Sequence, residues 1–114
     1  MSFSTSAGTL KSAYLSLNSG APSATLFVVP ASMRARIFTL GLSTSDSASP
    51  LLTLSGSTSG VLSRYYASSL APLLDRCDSA PIVCQPGETI TISASAITAA
   101  KTVEVRCVFT LKNT

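Results

Sequence analysis

The chain contains no histidine and no tryptophan, three cysteines, and only eight basic and five acidic side chains in 114 residues. Each shortage excludes something. Without histidine there is no Ser-His-Asp or Cys-His pairing of nucleophile and base. Three cysteines, Cys77, Cys84 and Cys107, are an odd number, so at least one is free and no disulfide framework is present. Cys77 and Cys84 flank a loop and can pair only in an oxidising compartment. With no histidine and this cysteine spacing, no zinc site is expected.

Charged residues make up 11% of the chain, against about a quarter in an average globular protein, and Ser and Thr take the polar positions instead. A lightly charged, hydroxyl-rich surface suits a protein largely covered by other subunits, although a Ser/Thr-rich secreted β domain has the same composition. The net charge is +3, with Lys and Arg spread along the chain rather than clustered. No nucleic-acid partner is therefore expected, since that needs a basic stripe interleaved with stacking aromatics. Only Arg34, Arg36 and the Arg64-Tyr65-Tyr66 group approach such a pattern.

Long apolar runs are missing as well. The stretch Leu26–Val29 is stopped by Pro30, far short of the roughly 20 residues that cross a bilayer as a helix. The first ten residues have neither the basic start nor the apolar run of a secretory signal. The sequence thus reads as a protein made and kept in solution, with no membrane partner.

The carboxylates give no catalytic pair. Asp46 falls in a Ser-rich loop tip, Glu88 follows a turn, and Glu104 faces outward beside Arg106, so all three read as solvated charges. Asp75 and Asp78 lack the pattern of a calcium loop and read as capping or turn residues. Gly56 and Gly60 fit a hairpin rather than a phosphate loop. No enzyme activity, cofactor or metal is expected.

What the chain does have is alternation. From Val103 to Leu111 every second residue is apolar, with Thr102, Glu104, Arg106 and Thr110 filling most of the other face and Val108 the exception. Ile90 and Ile92 alternate with Thr89, Thr91 and Ser93 in the same way. Both are the period of a half-buried strand. Cys107 is in phase with the apolar face, where a free thiol behaves as a small hydrophobe. Residues 81–111 are expected to form a closing hairpin.

Upstream, Leu10–Leu17 is a strand with Leu10 and Tyr14 on one face and Ala13, Leu15 and Leu17 on the other. Asn18–Pro22 is a turn. Ala24–Val29 reads as a buried strand ended by Pro30. Met33–Leu42 reads as a central strand, with Phe38, Leu40 and Leu42 on one face and Ile37 on the other. Leu51–Ser55 and Val61–Ser68 form a hairpin across Gly56–Gly60. Leu70–Arg76 breaks the alternation as a turn of helix or an irregular crossover, because Pro72 forbids more. Ile82–Cys84 is a short strand, and Gln85-Pro86-Gly87-Glu88 carries a type II turn.

The total is about eight short strands with regularly spaced turns. That predicts an all-β, single-domain antiparallel β-sandwich of jelly-roll-like form. Residues 1–9 read as a flexible arm that orders against a partner, and residues 10–114 as the sandwich domain. The candidate interface residues are Phe3 in the arm, Arg34 and Arg36 at the start of the central strand, and Arg64, Tyr65 and Tyr66. Tyr and Arg dominate contact energies because each buries a large body while its polar end stays bonded. Tyr65 and Tyr66 are expected on opposite faces of one strand, one in the core and one on the rim.

The segment Pro81-Ile82-Val83-Cys84-Gln85-Pro86-Gly87-Glu88-Thr89-Ile90-Thr91-Ile92 and the alternating strand after it resemble the ending of small β-sandwich structural proteins of tailed bacteriophages. The resemblance is to capsid decoration, or cement, proteins, which share the chain length and the Ser/Thr-rich surface. It implies a homotrimer, made in the host cytoplasm and located in the virion, that binds major capsid protein on the outer surface of an assembled head. It also implies that residues 2–9 order on the capsid and that the outer faces of Leu10–Leu17 and Met33–Leu42 meet in the trimer. The alternative is a phage tail, fibre or neck β-sandwich that binds a receptor or carbohydrate. Such a module wants a concave patch of exposed aromatics, and this chain has only three tyrosines.

Overall fold

Alternation every second residue in most segments, broken by Gly, Pro and Ser-rich turns, yields strands throughout. The computed structural model describes residues 8–76 and 81–114. Among them lie β1 (Thr9–Asn18), β2 (Ser23–Val28), β3 (Met33–Thr44), β4 (Leu51–Gly56), β5 (Gly60–Tyr66), β6 (Leu73–Arg76), β7 (Ile82–Cys84), β8 (Thr89–Ala94) and β9 (Thr102–Asn113). No helix of the described residues is long and apolar enough to cross a membrane.

Two antiparallel sheets result. One has the order β1-β9-β3-β6 with β7 also on β3, and the other has the order β2-β8-β4-β5. The chain changes sheet at every connection except β4–β5 and β6–β7, and β4–β5 is the single hairpin among the described residues. This interleaving is a jelly-roll-like sandwich, as the strand count and turns predict. The core lies between the sheets, where Leu17, Ile37, Leu40, Leu52, Ile90 and Val105 are fully buried. Phe27 of β2 stacks on Phe109 of β9 at 3.9 Å, joining the two layers.

The expected closing hairpin does not exist. β8 pairs with β2 and β4, whereas β9 pairs with β1 and β3. Both strands have one apolar face, and that face can be buried equally well across the sandwich as beside a neighbour, so periodicity does not choose between the two. Leu70–Arg76 also differs from its reading, since Leu73–Arg76 is a strand on Thr39–Leu42 of β3. Pro72 precedes it and removes no ladder bond.

Two bulges account for the remaining differences. In β3 the register with β9 slips between Ile37 and Thr39. The extra residue, Phe38, absorbs one step of the alternation, so Ile37 joins Leu40 and Leu42 in the core instead of facing away from them. The other neighbour of β3 is interrupted at the same place, with β6 on one side of Phe38 and β7 on the other. In β2 a slip between Thr25 and Phe27 and an edge position leave Val28 57% exposed, so the run from Ala24 to Val29 is not uniformly buried.

Candidate functional site

Two carboxylates expected in solvent are buried and hold the loops at opposite ends of the sandwich. Glu88 ends the Gln85–Glu88 turn, in which Gly87 takes a φ of 75°. Its side chain accepts hydrogen bonds from the N–H of Gln85 at 2.8 Å, the N–H of Thr58 at 2.9 Å, the N–H of Ser59, and the Ser59 hydroxyl at 3.1 Å. The β7–β8 turn is thereby tied to the β4–β5 turn. Burial alone would raise the Glu88 pKa, but the bonds from Gln85, Ser59 and Thr58 together hold it below the usual carboxylate range. At the other end, Asp46 accepts from the N–H of Thr98 at 2.8 Å, the Thr98 hydroxyl at 2.9 Å and the N–H of Ala48 at 3.0 Å. Those bonds, the Thr98 N–H first, lower its pKa and tie the β3–β4 loop to the β8–β9 connection.

Two further carboxylates are also held by side-chain hydrogen bonds. Asp75 accepts a 2.8 Å bond from the Tyr65 hydroxyl. Glu104 accepts from the Tyr14 hydroxyl and from Ser16 at 3.2 Å, while the Arg106 guanidinium sits 5.3 Å from the centre of the Tyr14 ring. Cys84 and Cys107 are free and buried; burial pushes their thiols up to about 12 and about 11. Cys77 and Asp78 lie outside the described residues. Among the described residues no three His, Cys, Asp or Glu side chains gather as a metal site.

The six candidate interface residues do not form one surface. Phe3 lies outside the described residues. Arg64 and Tyr66 are exposed on β5, an edge of the second sheet, and Tyr66 is 69% exposed. Tyr65 between them turns inward and packs against the core, the opposite-face arrangement its position predicts. Arg34 and Arg36 stand on the outer face of the first sheet, where the pairing of β3 with β9 sets Arg34 opposite Lys112 and Arg36 opposite Thr110. With Phe38, Asn113 and Thr114 these residues line a cleft of about 400 Å³.

Sequence reasoning did not find Lys112 as a partner of Arg34, because that depends on β3 pairing with β9, and the closing-hairpin reading had assigned β9 elsewhere. Nor did it find the Glu88 lock. Gly56 was a signal of it in retrospect: a Cβ built there falls 2.2 Å from the Glu88 Oε2, so only glycine leaves room for the carboxylate.

The architecture is that of solved viral chains. A chain in the acidic stable capsid structure of Helicobacter pylori bacteriophage KHP30 aligns with a TM-score of 0.62 at 7% identity, covering 90% of this chain and 87% of that one. A chain of the cyanophage Pam1 capsid asymmetric unit aligns with a TM-score of 0.51 at 18% identity, covering 96% and 88%. A carbohydrate-binding module, CBM36 in complex with calcium and xylotriose, aligns with a TM-score of 0.47 at 9% identity, covering 89% and 87%. No protein-family model matches the chain, and no curated protein matches it. The two phage structures share the fold with this chain.

Proposed function

We propose that this chain is a structural virion protein that decorates the outside of an assembled phage head and stabilises it. The observation that carries the reading is the jelly-roll sandwich itself, which chains in two phage capsid structures share over nearly the whole length. Composition adds support: a surface with few charges and many hydroxyls is suited to being covered by neighbours. So do the buried or hydrogen-bonded states of Asp46, Asp75, Glu88 and Glu104, which leave no carboxylate pair free for acid–base chemistry among the described residues. The role is mechanical rather than catalytic.

On this reading the partner is the major capsid protein, the bound form is a homotrimer, and the location is the outer capsid surface. The exposed apolar residues of the first sheet, Leu10, Tyr14, Leu74 and, less so, Val83, supply the surface through which copies meet or touch the shell. Because the protein binds only the assembled lattice, it raises head stability by mass action, and each trimer bridges neighbouring capsomers. The test is the thermal stability of heads stripped of the protein and then reconstituted. Added protein raises the temperature at which the genome is released, and saturates; heads whose release temperature ignores the protein, together with retention of the protein on a glycan array, point to the receptor-binding alternative instead.

A further inference from the structure

The cleft at Arg34, Arg36 and Lys112 is built against its own stability. Arg34 and Lys112 are register partners on adjacent strands, and Arg36 is the next residue along on the same face. Like charges set directly opposite one another in an antiparallel pair destabilise it. Elsewhere on the same sheet the chain avoids this: Arg106 lies over the Tyr14 ring, with Glu104 bonded to that tyrosine. Among the described residues no acidic side chain lines the cleft, and the three cations make no hydrogen bond or ion pair through their side chains. The Phe38 bulge adds a second sign, since among the described residues both neighbours of β3 change register or stop there, and Phe38 itself lines the same cleft. Bulges re-aim side chains in this way beside functional sites.

Among the described residues this chain supplies no counter-charge: Asp46 and Glu88 are buried and Asp75 and Glu104 accept hydrogen bonds, while Asp78 lies outside the described residues. Met1–Ala7, which precede Gly8 beside Leu111 and Lys112, contain no Asp or Glu. A second copy offers no free carboxylate among its described residues, for the same reason. A nucleic acid needs an extended cationic track with several stacking rings. Here three cations and one ring share about 400 Å³, the space of a few side chains. We propose that the Arg34–Arg36–Lys112 cleft is the docking site for a short acidic, carboxylate-bearing segment of a different protein. Arginine forks suit bidentate carboxylate recognition, and Lys112 adds a point charge beside them. This deepens the decoration reading and rests on it for the identity of the partner, which is then an acidic loop of the shell protein.

The experiment measures binding of an end-blocked, fluorescent hexaglutamate peptide at low ionic strength, with hexathymidylate as the competing class, to the wild type and to Arg36→Glu/Lys112→Glu. Lys11→Glu, outside the cleft lining, controls for net charge. The wild type binds the peptide, added salt weakens it, the double reversal weakens it at least ~10-fold, and Lys11→Glu changes it by less than about 2-fold. Arg34→Glu supplies a readout that loss of fold does not mimic: it places opposite charges across from each other, so the melting temperature holds or rises while peptide affinity falls. Absence of peptide binding, equal losses in Lys11→Glu, or preference for hexathymidylate overturns the proposal. Failure of the partner reading looks different: the peptide binds through these residues while heads do not bind the wild-type protein. Heads that bind the wild type and the double reversal equally well overturn the cleft assignment and leave decoration standing.

Discussion

At the scale of single residues, the least replaceable group is Glu88. Its carboxylate satisfies three backbone N–H groups and a hydroxyl from two turns. Glu88→Gln sets an amide N–H₂ against donors that need an acceptor, and the urea midpoint is expected to report a loss of roughly 2 kcal/mol. Gly56→Ala drives a methyl into the same carboxylate and costs about 2–3 kcal/mol. Gly56→Ala/Glu88→Ala loses less than the sum of its single changes, because removing the carboxylate removes the clash. The pH dependence follows from sign. Glu88 and Asp46 have folded-state pKa values below their ordinary ones, so their contribution is present above the unfolded values of about 4.3 and 3.9 and is lost as pH falls below them. Urea midpoints are expected to hold from pH 7 to about 5 and to fall steadily below about 4.5, with a shallower fall in Glu88→Gln. The thiols behave oppositely. Pushed up to about 12 and about 11 and buried, Cys84 and Cys107 stay protonated at pH 8, and iodoacetamide is expected to label them only after unfolding.

At the scale of elements, the Tyr65 hydroxyl bond to Asp75 fastens β5, an edge of one sheet, to β6, an edge of the other. Tyr65→Phe is expected to lower stability by about 1 kcal/mol with an unchanged denaturant slope, since ring packing remains. How the elements were read from sequence shows what local pattern carries. Strands with one apolar face, such as Val103–Leu111 and Thr89–Ile92, announced themselves by period two, and Pro86-Gly87 and Asn18–Pro22 announced their turns. Which sheet each strand joins was not local information, so β8 and β9 read as a hairpin although they lie in opposite layers. The Phe38 bulge was equally hidden, because one extra residue reverses the facing of everything before it while leaving composition untouched. The candidate site suffered most from this. Arg34 and Arg36 were visible as a pair, but Lys112 became their neighbour only through the β3–β9 register, and Asp46 and Glu88 looked solvated because their partners are backbone N–H groups distant in sequence.

At the scale of the whole molecule, the chain is an elongated sandwich of 47 × 25 × 21 Å. Its two outer faces differ. The second sheet shows cross-strand hydroxyl rows such as Thr25–Thr91–Ser55 together with exposed Val28, Val61 and Tyr66. The first shows Leu10, Tyr14 and Leu74 beside the cationic cleft. Under the decoration reading, the first sheet, which carries the cationic cleft, is the face turned to the shell or to neighbouring copies. The most direct measurement is co-sedimentation of the purified protein with assembled, expanded heads stripped of it, run beside unassembled shell protein. The decoration reading predicts saturable binding to heads at a fixed number of trimers per particle and none to unassembled subunits. Protein that stays in the supernatant at saturating heads, or that binds free subunits equally well, contradicts it.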